Sequence, residues 1–198
     1  KTEFGENVKA LRERTTKPIV FYCNGHTCMK SYKAARRAMN AGVKNVYAYD
    51  AGIFEWARSN PDLAVLVGKS PVRVSDLISK KEFKKRLLDA ADFQKRVTRS
   101  DVMVLDVRSR LQRAGAGLFP FDEKFASLDD KQKLDRYLNK AKREGNTVLA
   151  YDAVGKQVRW FEYYLRSKGI KNYYFMKNGA DGYVELLAKQ QGSSIVAK

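Results

Sequence analysis

Two apolar spacings alternate along the chain, and the order in which they alternate recurs. Ile19-Val20-Phe21-Tyr22 is a β-favouring run, and Tyr32-Lys33-Ala34-Ala35-Arg36-Arg37-Ala38-Met39 after it has the spacing of an amphipathic helix. Gly42 reads as a helix C-cap and leads directly into a β-rich hexad, Gly42-Val43-Lys44-Asn45-Val46-Tyr47. Later, Leu149-Ala150-Tyr151, a helical stretch and Gly169-Ile170-Lys171-Asn172-Tyr173-Tyr174 follow in the same order. Between the two sets, Ser79 is a candidate N-cap for one helix carrying Phe83, Leu87, Leu88 and Ala91 on a single face. Val102 to Arg108 is nearly continuously apolar, as a strand buried on both faces should be. A Gly-rich loop, Ala114 to Pro120, and a helix from Leu128 to Glu144 ending at Gly145 complete the pattern.

The recurrence is an internal repeat. Residues 17–57 match 146–184 at fixed offsets: Val20-Phe21-Tyr22-Cys23 corresponds to Leu149-Ala150-Tyr151-Asp152, and Ala51-Gly52-Ile53 with Trp56 to Asn178-Gly179-Ala180 with Tyr183. After the Cys23/Asp152 position the second copy runs two residues shorter, which places an insertion in the loop after Cys23. Two copies mean two supersecondary units. Strand, helix and strand with so short a crossover imply right-handed parallel units. The active crevice of such a sheet lies beyond the carboxyl ends of its strands, where Cys23 and Asp152 fall.

The fold expected is therefore α/β, with two parallel-sheet units, the first lacking its N-terminal half, since only 22 residues precede Cys23. The boundaries read as 1–68 for the partial domain, 69–78 for a linker, 79–190 for a complete domain and 191–198 for a tail. The start, Lys1-Thr2-Glu3-Phe4, carries no initiating Met and reads as processed or trimmed.

Composition narrows the function. With 44% hydrophobic residues the chain is globular, and no apolar run approaches the ~20 residues of a membrane span. The net charge of +17 favours anionic small molecules, an acidic protein partner, nucleic acid or membrane head groups. Its Lys and Arg are spread through every helical segment with no nucleic-acid motif, so no specific nucleic-acid partner is expected. The oligomeric state is left open. Two cysteines and one histidine, His26, cannot complete a four-ligand zinc site, and neither a metal nor another cofactor is expected.

Cys23 is the candidate nucleophile. A thiolate forms most easily where loop amides and a helix N-terminus face it, and Asn24, Gly25, His26, Thr27, Cys28, Met29, Lys30 and Ser31 supply that loop. The plainer alternative is a buried, inert cysteine closing a strand. Lys30, and more distantly Lys33 and Arg36, are placed to attract an anionic donor; the alternative for each, and the plainer one for Lys33 and Arg36, is ordinary surface charge. His26 either binds the donor or shapes the loop, and Cys28 either resolves an intermediate on Cys23 as a disulfide or packs beneath the loop. A Cys-dependent phosphatase needs an Arg six residues after the cysteine; Met29 stands there, which discounts that class.

The cysteine-ended strand, the segment Gly42 to Tyr47 and the block Asp50-Ala51-Gly52-Ile53-Phe54-Glu55-Trp56 resemble the rhodanese family of sulfurtransferases, and Leu105-Asp106-Val107-Arg108 resembles that family's opening strand. The resemblance implies tandem rhodanese-like domains, the first active-type and the second degenerate, with Asp152 in the cysteine position. It implies transfer of sulfane sulfur from thiosulfate or a related donor to a thiol or other thiophilic acceptor through a Cys23 persulfide. Amides of residues 24–30 would stabilise that persulfide. The loop is longer than the family's usual one and resembles a bacterial Cys-Asn-Gly-x-x-Cys subgroup, which points to an exported, periplasmic protein. The rival reading is a non-catalytic binding or redox-sensing module built on the Cys23/Cys28 pair.

Overall fold

The computed structural model describes residues 2–25, 29–113 and 117–196. It divides into two compact units, Lys1–Leu77 and Ile78–Lys198, each a mixed α/β structure on a parallel sheet.

The first unit runs α1 (Thr2–Arg14), β1 (Ile19–Tyr22), α2 (Lys30–Asn40), β2 (Val46–Tyr49) and α3 (Gly52–Ser59), closed by short 3-10 turns around Pro61 and Val74. Its sheet has two strands, paired in parallel with Ile19 opposite Val46 and Tyr22 opposite Tyr49. Alternation divides their side chains between two faces. Ile19 packs with Val8, Ala38 and Val43, and Phe4, Phe21 and Val46 close around them, so α1 and α2 cover one face. On the other, Val20, Tyr22 and Tyr47 are 50%, 62% and 56% exposed.

The second unit runs α4 (Lys80–Lys84), β3 (Leu87–Leu88), α5 (Ala90–Val97), β4 (Val102–Asp106), α6 (Arg110–Arg113), β5 (Glu123–Phe125), α7 (Lys131–Glu144), β6 (Thr147–Tyr151), α8 (Val158–Ser167), β7 (Tyr173–Met176) and α9 (Gly179–Val196). Its five strands are all parallel, in the order β3-β7-β6-β4-β5. Here both faces are covered. Met103, Leu105, Val148 and Ala150 enter one cluster with Leu134, Leu138, Phe161 and Leu165; Val104, Leu149 and Tyr151 enter another with Phe93, Phe119, Met176 and Tyr183.

The helix expected from Ser79 through Ala91 is two helices with a strand between them. Ser79 does cap α4, in a reciprocal box with Glu82. Leu87 and Leu88 then extend to pair with Phe175 and Met176, and Asp89 caps a new helix by accepting from the Asp92 amide at 2.9 Å. The pairing sends Leu87 and Leu88 to opposite faces of the sheet, where one helical face would have kept them together. Similarly, α7 starts at Lys131 rather than Leu128, because Asp130 accepts from the Lys133 amide at 3.0 Å. The strand expected at 102–108 is present over Val102–Asp106, and the C-cap glycines hold: Gly42, Gly145 and Gly169 have φ of 83°, 70° and 73°. The helix α9 continues through Val196, over much of the segment expected as a tail.

The repeat is present in register. Ile19 opposite Val46, Val20 opposite Tyr47 and Phe21 opposite Ala48 become, at the sequence offsets, Val148 opposite Tyr173, Leu149 opposite Tyr174 and Ala150 opposite Phe175. The strand entries match as well: the Ile19 amide donates to the Asn45 carbonyl at 3.0 Å, and the Val148 amide to the Asn172 carbonyl at 2.9 Å. So do the helix exits, where Val43 donates to Ala38 at 3.1 Å and Ile170 to Leu165 at 3.0 Å.

Candidate active site

Cys23 is the first residue after β1, half-buried at the carboxyl end of the sheet, the position expected for it. Its carbonyl accepts the Ile53 amide at 2.9 Å, which ties the Cys23 loop to the first turn of α3. Gly52 makes the approach possible. It has φ of 74°, and a Cβ there would lie 2.3 Å from the Gly25 nitrogen and 2.5 Å from the Cys23 oxygen, both backbone atoms. Asn24 and Gly25 lie in this loop, partly buried. Met29 is exposed at the start of α2, Lys30 is its first residue, and Ser31 is buried at 3% exposure. Tyr32 donates to the carboxylate of Asp50, which raises the phenol's pKa above its ordinary value. His26, Thr27 and Cys28 lie outside the described residues.

Cys23 is a disulfide cysteine in this structure, not a free thiol. The chain's other cysteine is Cys28. A nucleophilic Cys23 therefore requires reduction first.

Asp152 takes the same place after β6 and is fully buried. Its carbonyl accepts the Ala180 amide at 2.8 Å, the counterpart of the Cys23–Ile53 bond. Gly179, with φ of 59°, permits that approach, since a Cβ there would lie 2.4 Å from the Asp152 carbonyl oxygen. The Asp152 side chain turns into its own loop. Oδ1 accepts from the amides of Val154, at 3.1 Å, and Gly155; Oδ2 accepts from those of Gln157 and Val158, the latter at 3.0 Å. Four convergent amides at a helix start make an anion site, and the chain's own carboxylate fills it.

Comparison with known proteins bears on the first unit. Residues 1–59 match the rhodanese-like domain. The first unit is thus similar to that domain over residues 1–59. No curated protein matches the chain. Among solved structures, the thiosulfate sulfurtransferase from Pseudomonas aeruginosa is similar at 18% identity and a TM-score of 0.42, over 85% of this chain and 31% of that one. A rhodanese-like domain protein from Staphylococcus aureus is similar at 15% identity and a TM-score of 0.41, over 50% of this chain and 90% of that one.

One constellation was not foreseen. Beside Asp152, a buried network joins the ends of three strands of the second unit. Asp106 is fully buried and accepts from Arg108 Nε at 2.9 Å, Arg108 Nη2 at 2.8 Å and Arg113 Nε at 3.0 Å. Arg113 Nη2 reaches Glu123 at 3.1 Å, and Glu123 accepts the Tyr151 hydroxyl and the Phe119 amide. Burial first, and the bond to Glu123 second, push the Tyr151 phenol far above its ordinary pKa. Two arginines against two carboxylates leave the cluster without net charge, as burial requires. In sequence Asp106 and Arg108 stood out as part of an apolar strand resembling the rhodanese opening strand, with no sign of their ion pair, and nothing local tied Arg113 to Glu123.

Proposed function

We propose that the first unit is a sulfurtransferase working through Cys23, and that the second is a degenerate rhodanese-like domain without a sulfur-carrying residue. The observation that carries this reading is a cysteine at the carboxyl end of β1, its carbonyl held by the Gly52–Ile53 turn, inside the rhodanese-like segment. Once the disulfide has been opened by two electrons from a thiol reductant, the Cys23 thiolate attacks the outer sulfur of thiosulfate. The S–S bond of the donor breaks, sulfite leaves with its electron pair, and a Cys23 persulfide remains. Cyanide or a thiolate then takes the outer sulfur and returns the Cys23 thiolate, so the cycle is covalent and two-step. Loop amides at the start of α2 supply the preorganised donors, and Lys30 the positive field. Asp152 cannot repeat this chemistry: a carboxylate has no sulfur to persulfidate, and its amides are already taken.

A second reading is favoured by the disulfide at Cys23. The Cys23/Cys28 pair then acts as a redox sensor, closed under oxidation and opened by thiols.

Thiocyanate formation from thiosulfate and cyanide by the pre-reduced chain separates the two. Turnover lost in Cys23→Ser by at least about 1,000-fold, and kept in Cys28→Ser, is the expected result. Absence of turnover in the reduced parent, with rapid re-formation of the disulfide, would establish the sensor instead.

A further inference from the structure

In the helix that follows the two loops, the copies differ in charge. Aligned through their identical C-terminal hydrogen bonds, Lys33 and Arg36 of α2 correspond to Trp160 and Tyr163 of α8. The cations of α8 are engaged: Arg166 bonds Glu162 at 2.8 Å, and Arg159 reaches the Ile78 carbonyl at 3.2 Å. The helix α2 carries Lys30, Lys33, Arg36 and Arg37 with no acidic residue. Arg37 lies over the Phe4 ring, 4.4 Å from its centroid. The side chains of Lys30, Lys33 and Arg36 are exposed and have no ionic partner among the described residues. Spacing of three puts them on one flank of the helix. Along the axis Lys33 and Arg36 stand about 5 and 9 Å beyond Lys30, the first residue of the helix after the Cys23 loop. Met29, 58% exposed, extends the flank with a soft apolar contact.

Unpaired cations cost the fold self-repulsion and return nothing to its stability. They suit a complementary surface, and free thiosulfate or cyanide needs no flank that runs two turns down a helix. We infer that the sulfur acceptor is borne by a protein: an acidic, thiol-bearing partner docks on the Lys30–Lys33–Arg36 flank of α2 with its cysteine at Cys23. Its thiolate attacks the outer sulfur of the Cys23 persulfide, the Cys23 S–S bond breaks, and the partner leaves as the persulfide while Cys23 returns to thiolate. The inference rests on the sulfurtransferase reading for its chemistry, but the docking surface stands on charge alone.

The probes are a Glu-rich peptide ending in Cys and a Gln-rich peptide of equal length. Sulfur is loaded from thiosulfate onto the reduced full chain, and transfer to each peptide is timed. The Glu-rich peptide should react about tenfold faster at low salt, with the advantage gone near 0.5 M salt. Lys33→Glu combined with Arg36→Glu should abolish the advantage while cyanide turnover stays within about twofold. The same charge change on α7, Arg136→Glu with Arg143→Glu, should leave the advantage intact. Equal rates for the two peptides would overturn the inference. So would equal losses in both double variants, which would mean an undirected basic field. A labelled, cysteine-free Glu-rich peptide followed by fluorescence anisotropy gives the docking result without chemistry. Should Cys23 take up no sulfur, detected as no added sulfur mass, the sulfurtransferase reading fails while anisotropy still decides the surface. Displacement of that peptide by a single-stranded oligonucleotide at a lower charge concentration than by unlabelled peptide would overturn the protein partner in favour of nucleic acid.

Discussion

Leu149 and Tyr151 are wholly buried, packed in one cluster with Phe93, Phe119, Met176 and Tyr183; at the matching positions of the first unit, Val20 and Tyr22 stand half or more in solvent. The strands that carry them nevertheless pair in the same register, and the same carbonyl-to-turn hydrogen bond closes both loops. The comparison separates two things that one fold usually delivers together. Positioning of the residue at the strand end is local, fixed by one strand pair, one helix and a glycine turn. Burial of the opposite sheet face is not local, and in the second unit it comes in part from segments thirty or more residues away in sequence, α5 and Phe119 among them.

Paired substitutions break or sharpen that contrast. The largest effect is expected from Leu149→Ala, which empties a fully buried site and should cost about 3 kcal/mol, while Val20→Ala at the matched position should cost under about 0.5 kcal/mol. Urea unfolding, followed for each unit by hydrogen exchange, reads both; equal costs would mean that Val20 is covered in solution. Next comes Asp152→Ala, which strips four amides of their acceptor and should destabilise the second unit by about 2 kcal/mol. Its melting temperature should then rise on adding thiosulfate or sulfate, whereas the parent's second unit should not respond.

The smallest effect is in alkali. Burial, aided by Glu123 at Tyr151, raises the pKa of Tyr151 and Tyr173 in the folded chain. Raised values give stability that is complete below the unfolded tyrosine pKa near 10 and is lost as pH climbs from there toward the folded values. Tyr151→Phe should therefore flatten the fall in second-unit stability above about pH 10 by about 1 kcal/mol, measured by denaturant midpoints at increasing pH. An unchanged slope would show that Tyr151 does not titrate on unfolding in this range.

Much of this was legible in the chain because it is written at short range. Gly42 and Gly169 announce left-handed caps, Ser79 an N-cap, and the offset between Cys23 and Asp152 a repeat whose register then follows. What the chain concealed depends on distant partners. Leu87-Leu88 looks helical until Phe175 and Met176 offer it an edge to pair with, and Arg113 looks like surface charge until Asp106 and Glu123 surround it. The four amides around Asp152 were equally hidden, since backbone donors leave no trace in side-chain pattern.

Those four amides also make the difference between the units hard to reverse. From Asp152 to the first residue of α8 is six positions, and from Cys23 to the first residue of α2 is seven, with the flanking helices offset by two residues overall. A cysteine at 152 would place a sulfur in a loop whose amides are already fitted around a carboxylate. Sulfur chemistry there would call for a longer loop as well as a substitution. In design terms the loop acts as a lock: a thiol placed at 152 on its own would meet amides shaped around a carboxylate.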